Sequence, residues 1–215
     1  MVPPFDDPHV IAGQGTLGLE MIEAVPDATT VLVQLSGGGL AAGIATAVKA
    51  LNPDTRVIGI SMARGAAMKA SIDAGHPVNV TELRTLADSL GGGIGLDNRL
   101  TFSICRNLLD DIVLLSEIEI AAGIRHLYAV EREIAERAGA VGAASAVGSE
   151  PAEGAPVAGV VVAGAAVASR ASVAAAAFAS AAAASSAAAF TASGKNTSTG
   201  RSPVLRGVSR PVGMS

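Results

Sequence analysis

The segment VLVQLSGGGLAAGIATAVKAL, residues 31–51, begins as an apolar, β-branched run and ends in a helical pattern. Gly37, Gly38 and Gly39 separate the two halves. A strand that runs through glycines into a helix presents unpaired main-chain N–H groups, and the helix dipole adds about half a positive charge there. We therefore predict a strand–turn–helix unit that binds an anion, with the Ser36 hydroxyl as a further donor. The alternative is a tight turn without a ligand.

Two known phosphate-binding motifs contain glycines at such a turn, the P-loop of nucleotide-binding proteins and the dinucleotide-binding motif. A P-loop is excluded because no Lys-Ser/Thr pair follows the glycines. Residues 37–42 satisfy the loose G-x-G-x-x-G/A pattern of dinucleotide sites, but Ser61 stands where that pattern wants an acidic residue. Ser61 and Arg64 could instead hold the 2′-phosphate of NADP. An NADP-binding oxidoreductase module is therefore one function that this turn allows.

Strands and helices alternate on both sides of the glycine turn. Helix boundaries are predicted from a Thr16 cap, from Gly75 as a terminator, and from a Ser116/Glu119 capping box. Apolar runs at 29–35, 56–61 and 110–116 predict buried strands, and helical patterns follow at 15–25, 40–51 and 65–75. The alternation predicts an α/β fold, a twisted and mostly parallel sheet with flanking helices.

Composition narrows the class of function and the compartment. The chain has 215 residues, a formal net charge of -4, and one cysteine, Cys105. An acidic chain has no basic field for nucleic acid, so we expect a small-molecule site and no nucleic-acid partner. Cys105 is expected to pack in the core of a protein from a reducing compartment, the cytoplasm. The N-terminus also lacks the pattern of a secretory signal.

The sequence divides into two parts of different character. Residues 1–142 have the composition of an ordinary α/β domain, whereas residues 143–215 are a low-complexity, Ala/Ser-rich tail. We expect that tail to be poorly ordered or the product of a shifted reading frame. A membrane span over the uncharged residues 171–193 is less favoured, because alanine and serine are poor membrane residues.

Four motifs in the first part carry a resemblance to a known family. They are PFDDPHVIAGQGTLGLEMIEAVPD, VLVQLSGGGLAAGIATAVKALNPDTRVIGI, LADSLGGGIG followed by NRLTFSICRNLLDDIVLLSEIEIAAGIRHL, and ERAGAVG. In this order and spacing they resemble the fold-type II pyridoxal-phosphate enzymes of the threonine/serine dehydratase and serine racemase group. LADSLGGGIGLDNRLTF, residues 86–102, is most similar to the dehydratase attached to hydroxyectoine breakdown.

The resemblance implies a set of residues that bind pyridoxal 5′-phosphate. The family's glycine loop holds the cofactor phosphate through main-chain amides, which implies Ser36, Gly37, Gly38, Gly39 and Leu40 here. The family usually has glycine where Ser36 stands. The remaining implied residues lie near the pyridoxal ring and are Phe5, Ser89 in place of a family glycine, and Glu136.

The resemblance also shows which family features this sequence lacks. Many relatives bind a divalent cation through carboxylates where Ser61 and Ala67 stand, so we expect no metal there. The family lysine that forms a Schiff base with the cofactor has no matching position, because Lys49, Lys69 and Lys195 stand in other contexts. We therefore expect an N-terminally truncated chain that diverges from the family after about residue 142.

The implied activity is dehydration of a β-hydroxy amino acid to a keto acid and ammonia. Threonine or serine is the generic substrate, and the subgroup suggests an amino acid derived from hydroxyectoine. The complete enzyme is expected to be a homodimer, as relatives commonly are. Because the Schiff-base lysine is missing, we expect this chain to be inactive alone, and a non-catalytic fragment remains a further alternative.

Overall fold

The computed structural model describes residues 3–148 and 160–162, which contain a four-stranded, fully parallel sheet. Its strands are β1 (Thr30–Gln34), β2 (Arg56–Met62), β3 (Asp111–Leu115) and β4 (Val160–Val162), in the order β3-β2-β1-β4. The predicted α/β class with a parallel sheet is confirmed. Strand β4 and all but the first two residues of the last helix lie beyond residue 142, in the stretch that composition assigned to the tail.

Helices connect the strands and cover both faces of the sheet. They are α1 (Pro8–Ala24), α2 (Gly39–Leu51), α3 (Ala67–Ala74), α4 (Thr101–Leu108), α5 (Glu117–His126) and α6 (Val141–Gly148). A short 3₁₀ turn, Asp88–Leu90, precedes α4, and a π-helical turn, Leu127–Glu131, follows α5. Within the described residues, no helix combines the length and hydrophobicity of a bilayer-crossing segment. Residues 171–193 lie outside the described part.

Strand β1 is buried because it supplies side chains to both halves of the core. Val31 and Val33 pack with α1, α2 and α4, whereas Leu32 faces the cluster formed with α5 and α6. Because side chains alternate along a strand, a strand covered on both faces must be apolar at successive positions. This explains the continuous apolar run. Cys105 is fully buried in the first cluster, as predicted.

The start of helix α1 differs from the prediction. The helix begins at Pro8, and the Asp7 carboxylate accepts hydrogen bonds from the amides of His9 at 2.8 Å and Val10 at 3.2 Å. Thr16 is not a cap, because it lies in mid-helix and its hydroxyl donates to the Gly13 carbonyl. An acidic cap followed by proline is a standard helix start. The predicted C-terminal end of α3 at Gly75 is confirmed, and so is the predicted start of α5 at the Ser116/Glu119 capping box.

Helices α1 and α2 touch through their main chains at glycine positions. A Cβ added to Gly43 would overlap the Ile11 carbonyl oxygen and lie 2.6 Å from the Gly15 nitrogen. A Cβ added to Gly18 would lie 3.1 Å from the Ile44 Cα. These contacts set the distance between α1 and α2, and α2 begins at the glycine turn. Glycine in a helix costs about 1 kcal/mol relative to alanine, which this close packing offsets.

We predict that Gly43→Ala lowers the free energy of unfolding by about 1–3 kcal/mol, because its methyl group forces main chain apart. Gly13→Ala is the matched control, since a Cβ there meets nothing within 4 Å and the helix gains propensity. Urea unfolding of both full-chain variants measures the difference. Equal stability of Gly43→Ala and the unmodified protein would show that α1 and α2 are not held this closely.

Candidate functional site

A cavity of about 260 Å³ opens where β1 ends and α2 begins. Six predicted site residues line it, namely Phe5, Ser36, Gly37, Gly38, Gly39 and Leu40. Its remaining lining residues are Pro4, Val10, Gln14, Gln34 and Leu90. Ligands of parallel α/β sheets bind at the carboxyl ends of the strands, where this cavity lies.

Within the described residues, the main-chain amides around the glycine turn have no hydrogen-bond partner. Helix α2 makes its first hydrogen bond from the Ala42 amide to the Gly38 carbonyl, at 2.7 Å. Across residues 3–148, no group accepts a hydrogen bond from the amides of residues 36–41. The positive end of the α2 dipole lies at the same point. These groups are therefore available to an anion in the cavity.

The carbonyls of the same turn are already bonded. The Thr101 hydroxyl donates to the Gly37 carbonyl at 2.8 Å. The Gly38 carbonyl accepts from the Ala42 amide and lies 3.8 Å from the Cys105 thiol. Burial raises the pKa of that thiol to about 12, so Cys105 stays neutral and serves packing. The turn thus presents donors to the cavity and keeps acceptors bonded.

Side chains at the three glycine positions would fill the space next to the turn. A Cβ on Gly37 would overlap the Phe5 ring, and one on Gly39 would lie 3.0 Å from the Phe5 Cα. Gly38 has a φ of 92°, and its Cβ would lie 2.7 Å from the Met68 Cε. Only glycine fits these positions. The turn therefore carries no side chains of its own beside its amides, as in known phosphate-binding turns.

The Ser36 hydroxyl has a protein partner. It donates to the Leu90 carbonyl at 2.9 Å, which ties the glycine turn to the 3₁₀ turn. In this structure the hydroxyl proton is directed at a carbonyl, so an anion would meet the Ser36 amide instead. A glycine at this position, as in the family pattern, would keep that amide.

Ser89 and Glu136 lie together beside the cavity and do not line it. The Ser89 hydroxyl donates to Glu136 Oε1 at 3.3 Å, and an Asp88–Arg137 ion pair at 2.8 Å joins the same two segments. The amides of Ala138 and Gly139 also donate to the Glu136 carboxylate. The segments reach the cavity wall through Leu90 and through the Gln34 amide, which donates to the Gly139 carbonyl at 2.9 Å.

The segment that carries Phe5 is anchored by its neighbour Asp6. The Asp6 carboxylate accepts hydrogen bonds of 2.8–2.9 Å from the amides of Arg99, Leu100 and Thr101 at the start of α4. Burial raises the pKa of this carboxyl, but those hydrogen bonds lower it by more. The pKa therefore lies below its ordinary value.

Asp6, Thr101, Gln34 and Leu90 were not predicted as site residues. A polar Gln34 at the end of an apolar strand was the signal available.

The structure does not favour the NADP alternative. Ser61 is 3% exposed, and Arg64 donates to the Arg84 carbonyl at 2.6 Å. Neither group lines the glycine turn's cavity.

The part of the chain that the structure describes contains no group of three or more His, Cys, Asp or Glu residues that could hold a metal ion.

The two lysines of the described region lie elsewhere. Lys49 pairs with Asp110 at 2.8 Å, and Lys69 pairs with Asp73 at 2.6 Å in an i,i+4 arrangement. Neither lines the cavity. Lys195 lies outside the described residues.

Comparison with known proteins gives a match over most of the chain. A family described as "Pyridoxal-phosphate dependent enzyme" matches residues 1–164. A protein of Sinorhizobium fredii named "Putative threonine dehydratase" is 68% identical over 145 residues, which are 67% of this chain and 44% of that protein. The chain spans less than half the length of the first curated relatives that it matches.

Solved structures agree with the sequence match. Maize serine racemase is 33% identical with a TM-score of 0.64, over 68% of this chain and 44% of that one. Threonine deaminase isoform 2 of Solanum lycopersicum is 34% identical with a TM-score of 0.65, over 81% of this chain and 51% of that one. The fold is therefore that of these enzymes, over part of their length.

We predict that Asp6→Asn lowers the free energy of unfolding at pH 7 by about 1 kcal/mol, the usual effect of losing a helix cap. A depressed pKa stabilises the fold above the unfolded value, about 3.9, and that contribution disappears as pH falls through the folded value. The stability difference between the protein and the variant should therefore shrink at about pH 3. Urea unfolding at both pH values measures it.

Asp27→Asn is the control, because Asp27 is an exposed carboxylate on the loop after α1. It should change stability little at either pH. If the difference in free energy of unfolding between the protein and Asp6→Asn stays constant down to pH 3, a role for the Asp6 charge is contradicted.

Proposed function

The chain belongs to the family of pyridoxal-phosphate-dependent enzymes, and from this we propose that its glycine turn holds the phosphate of pyridoxal 5′-phosphate. The observation that carries the proposal is the set of amides at residues 36–40 that have no partner among the described residues and that belong to residues lining a cavity at the end of β1. The residues present fit the group, because the glycine turn lines the cavity with amides that have no partner among the described residues and the helix end is positive.

The roles of this chain's residues follow from their positions. The amides of Ser36, Gly37, Gly38, Gly39 and Leu40 bind the phosphate, and the α2 dipole favours its negative charge. Phe5 contributes an apolar wall that displaces water. When bound, pyridoxal phosphate supplies an electron sink for chemistry at the α-carbon of an amino acid.

Ser89 and Glu136 are proposed to face the cofactor ring from the neighbouring segments. Two amides and the Ser89 hydroxyl donate to the Glu136 carboxylate, which fixes its position beside the cavity wall. The contacts through Leu90 and Gln34 keep this pair in register with the glycine turn.

The proposed reaction of the complete enzyme is dehydration of a β-hydroxy amino acid such as threonine or serine, giving a keto acid and ammonia. Its support is that several relatives of 41–68% identity are named as threonine dehydratases or ammonia-lyases. We further propose a hydroxyectoine-derived amino acid as the substrate, on the likeness of residues 86–102 to that subgroup. A homodimer in the cytoplasm completes the proposal.

The polypeptide of this sequence is proposed to bind the cofactor without turning over amino acids. The reaction needs a lysine amine at the cofactor aldehyde, and the two lysines of the described region are held in ion pairs away from the cavity. In this proposal residues 1–142 are part of the large domain of such an enzyme, and residues 143–215 add no catalytic group.

We predict that pyridoxal phosphate binds the full chain at least about tenfold more tightly than pyridoxal, because the amides contact only the phosphate. Isothermal titration with each compound and with NADPH provides the measurement. NADPH should not bind. Ser36→Ala, which removes the bond to Leu90 but keeps the amide, should retain the preference for phosphate, whereas Gly38→Ala should lose it. Equal affinity for pyridoxal and its phosphate, or binding of NADPH alone, would refute the proposal.

We also predict no keto acid from L-threonine or L-serine above the rate given by free pyridoxal phosphate, because no described lysine reaches the cavity. A coupled assay of keto acid release by the full chain measures this. The threonine deaminase of Solanum lycopersicum serves as the positive control. Turnover by this chain that Lys195→Ala abolishes would overturn the inactivity proposal and leave the binding proposal intact.

A further inference from the structure

Thr101, the first residue of α4, lies directly beneath the glycine turn. It is fully buried, and its hydroxyl is 2.8 Å from the Gly37 carbonyl and 3.1 Å from Asn98 Oδ1. Asn98 Nδ2 donates to the same hydroxyl oxygen at 2.8 Å, and Asn98 Oδ1 already accepts from the Phe102 amide. A hydroxyl has one proton to donate. The hydroxyl also interacts with the Asp6 carboxylate and lowers its pKa, but the Gly37 carbonyl at 2.8 Å is the closest acceptor with hydrogen-bond geometry and takes the proton.

This hydrogen bond fixes the direction of the next amide. The Gly37 carbonyl and the Gly38 N–H belong to one planar peptide unit, and in a trans peptide they point in opposite directions. The described residues contain no cis peptide bond. Holding the carbonyl toward Thr101 therefore turns the Gly38 amide toward the cavity that Gly38 lines.

Without the bond, little would keep the peptide in that orientation. Glycine stands on both sides of the 37–38 peptide unit, so rotating the unit meets no Cβ and costs little. The Gly37 carbonyl has the Thr101 hydroxyl as its hydrogen-bond partner within the described residues. Helix α4 itself is held in place, because Asp6 accepts from the amides of Arg99, Leu100 and Thr101.

We infer that Thr101 is a positioning residue of the phosphate site, which aims the Gly38 amide at the phosphate through the Gly37 carbonyl. The inference rests on the proposed function and adds a residue that does not touch the cofactor. It assigns the specificity for a phosphorylated ligand partly to a side chain on α4, outside the glycine motif.

The test compares affinities for pyridoxal phosphate and pyridoxal in the full-length Thr101→Val variant, which keeps the shape of threonine without its hydroxyl. We expect the affinity for pyridoxal phosphate to fall roughly tenfold, the effect of one lost hydrogen bond at a charged group. The affinity for pyridoxal should stay the same. Thr101→Ser, which restores a hydroxyl, should recover the unmodified affinity ratio.

Thr46→Val is the matched control, because Thr46 also donates to a main-chain carbonyl, that of Ala42, at 2.7 Å within α2. It should leave the ratio unchanged. If Thr101→Val does not fold, the pair Thr101→Ala and Thr101→Ser makes the same comparison. An unchanged ratio in the hydroxyl-free variants would refute the inference, whereas no phosphate preference in the unmodified protein would refute the proposed function instead.

Discussion

The site depends on one turn whose carbonyls are hydrogen-bonded within the described part of the chain and whose amides are not. Among the described residues, the carbonyls of Gly37 and Gly38 are bonded to α4 and α2, and the amides of residues 36–40, which line the cavity, have no partner. A buried amide without a partner costs free energy, about 1–3 kcal/mol for each group. Such a cost at several adjacent amides is understandable if an anion in the cavity offsets it. The family's phosphate-bearing cofactor is an anion of this kind.

Distant parts of the chain hold that turn in place. The segment with Asp6 bonds the start of α4 across more than ninety residues, and Ser36 bonds Leu90 across 54. The turn between α5 and α6 reaches it through Gln34 and Gly139. Each of these contacts is a hydrogen bond between a side chain and a main-chain group. The glycine turn is therefore positioned by the tertiary structure and is not a self-contained motif.

Local patterns in the sequence were sufficient for the elements and for the position of the glycine turn between β1 and α2. The apolar run of β1, the capping box at Ser116 and the glycines of the turn each depend on near neighbours, and each was predicted correctly. The predicted start of α1 was wrong because it placed the cap at Thr16, although the local Asp7–Pro8 pair is the cap that the helix uses. Thr101 and Asp6 were missed because their partners are far away in sequence.

The most direct test of the central claim is the amide proton spectrum of the ¹⁵N-glycine-labelled full chain during titration with pyridoxal phosphate. We predict that the amide protons of Gly37, Gly38 and Gly39 move downfield together as they bond phosphate oxygens. Pyridoxal, which lacks the phosphate, should leave them nearly unmoved. Saturable binding of pyridoxal phosphate that leaves these three resonances in place would contradict the account.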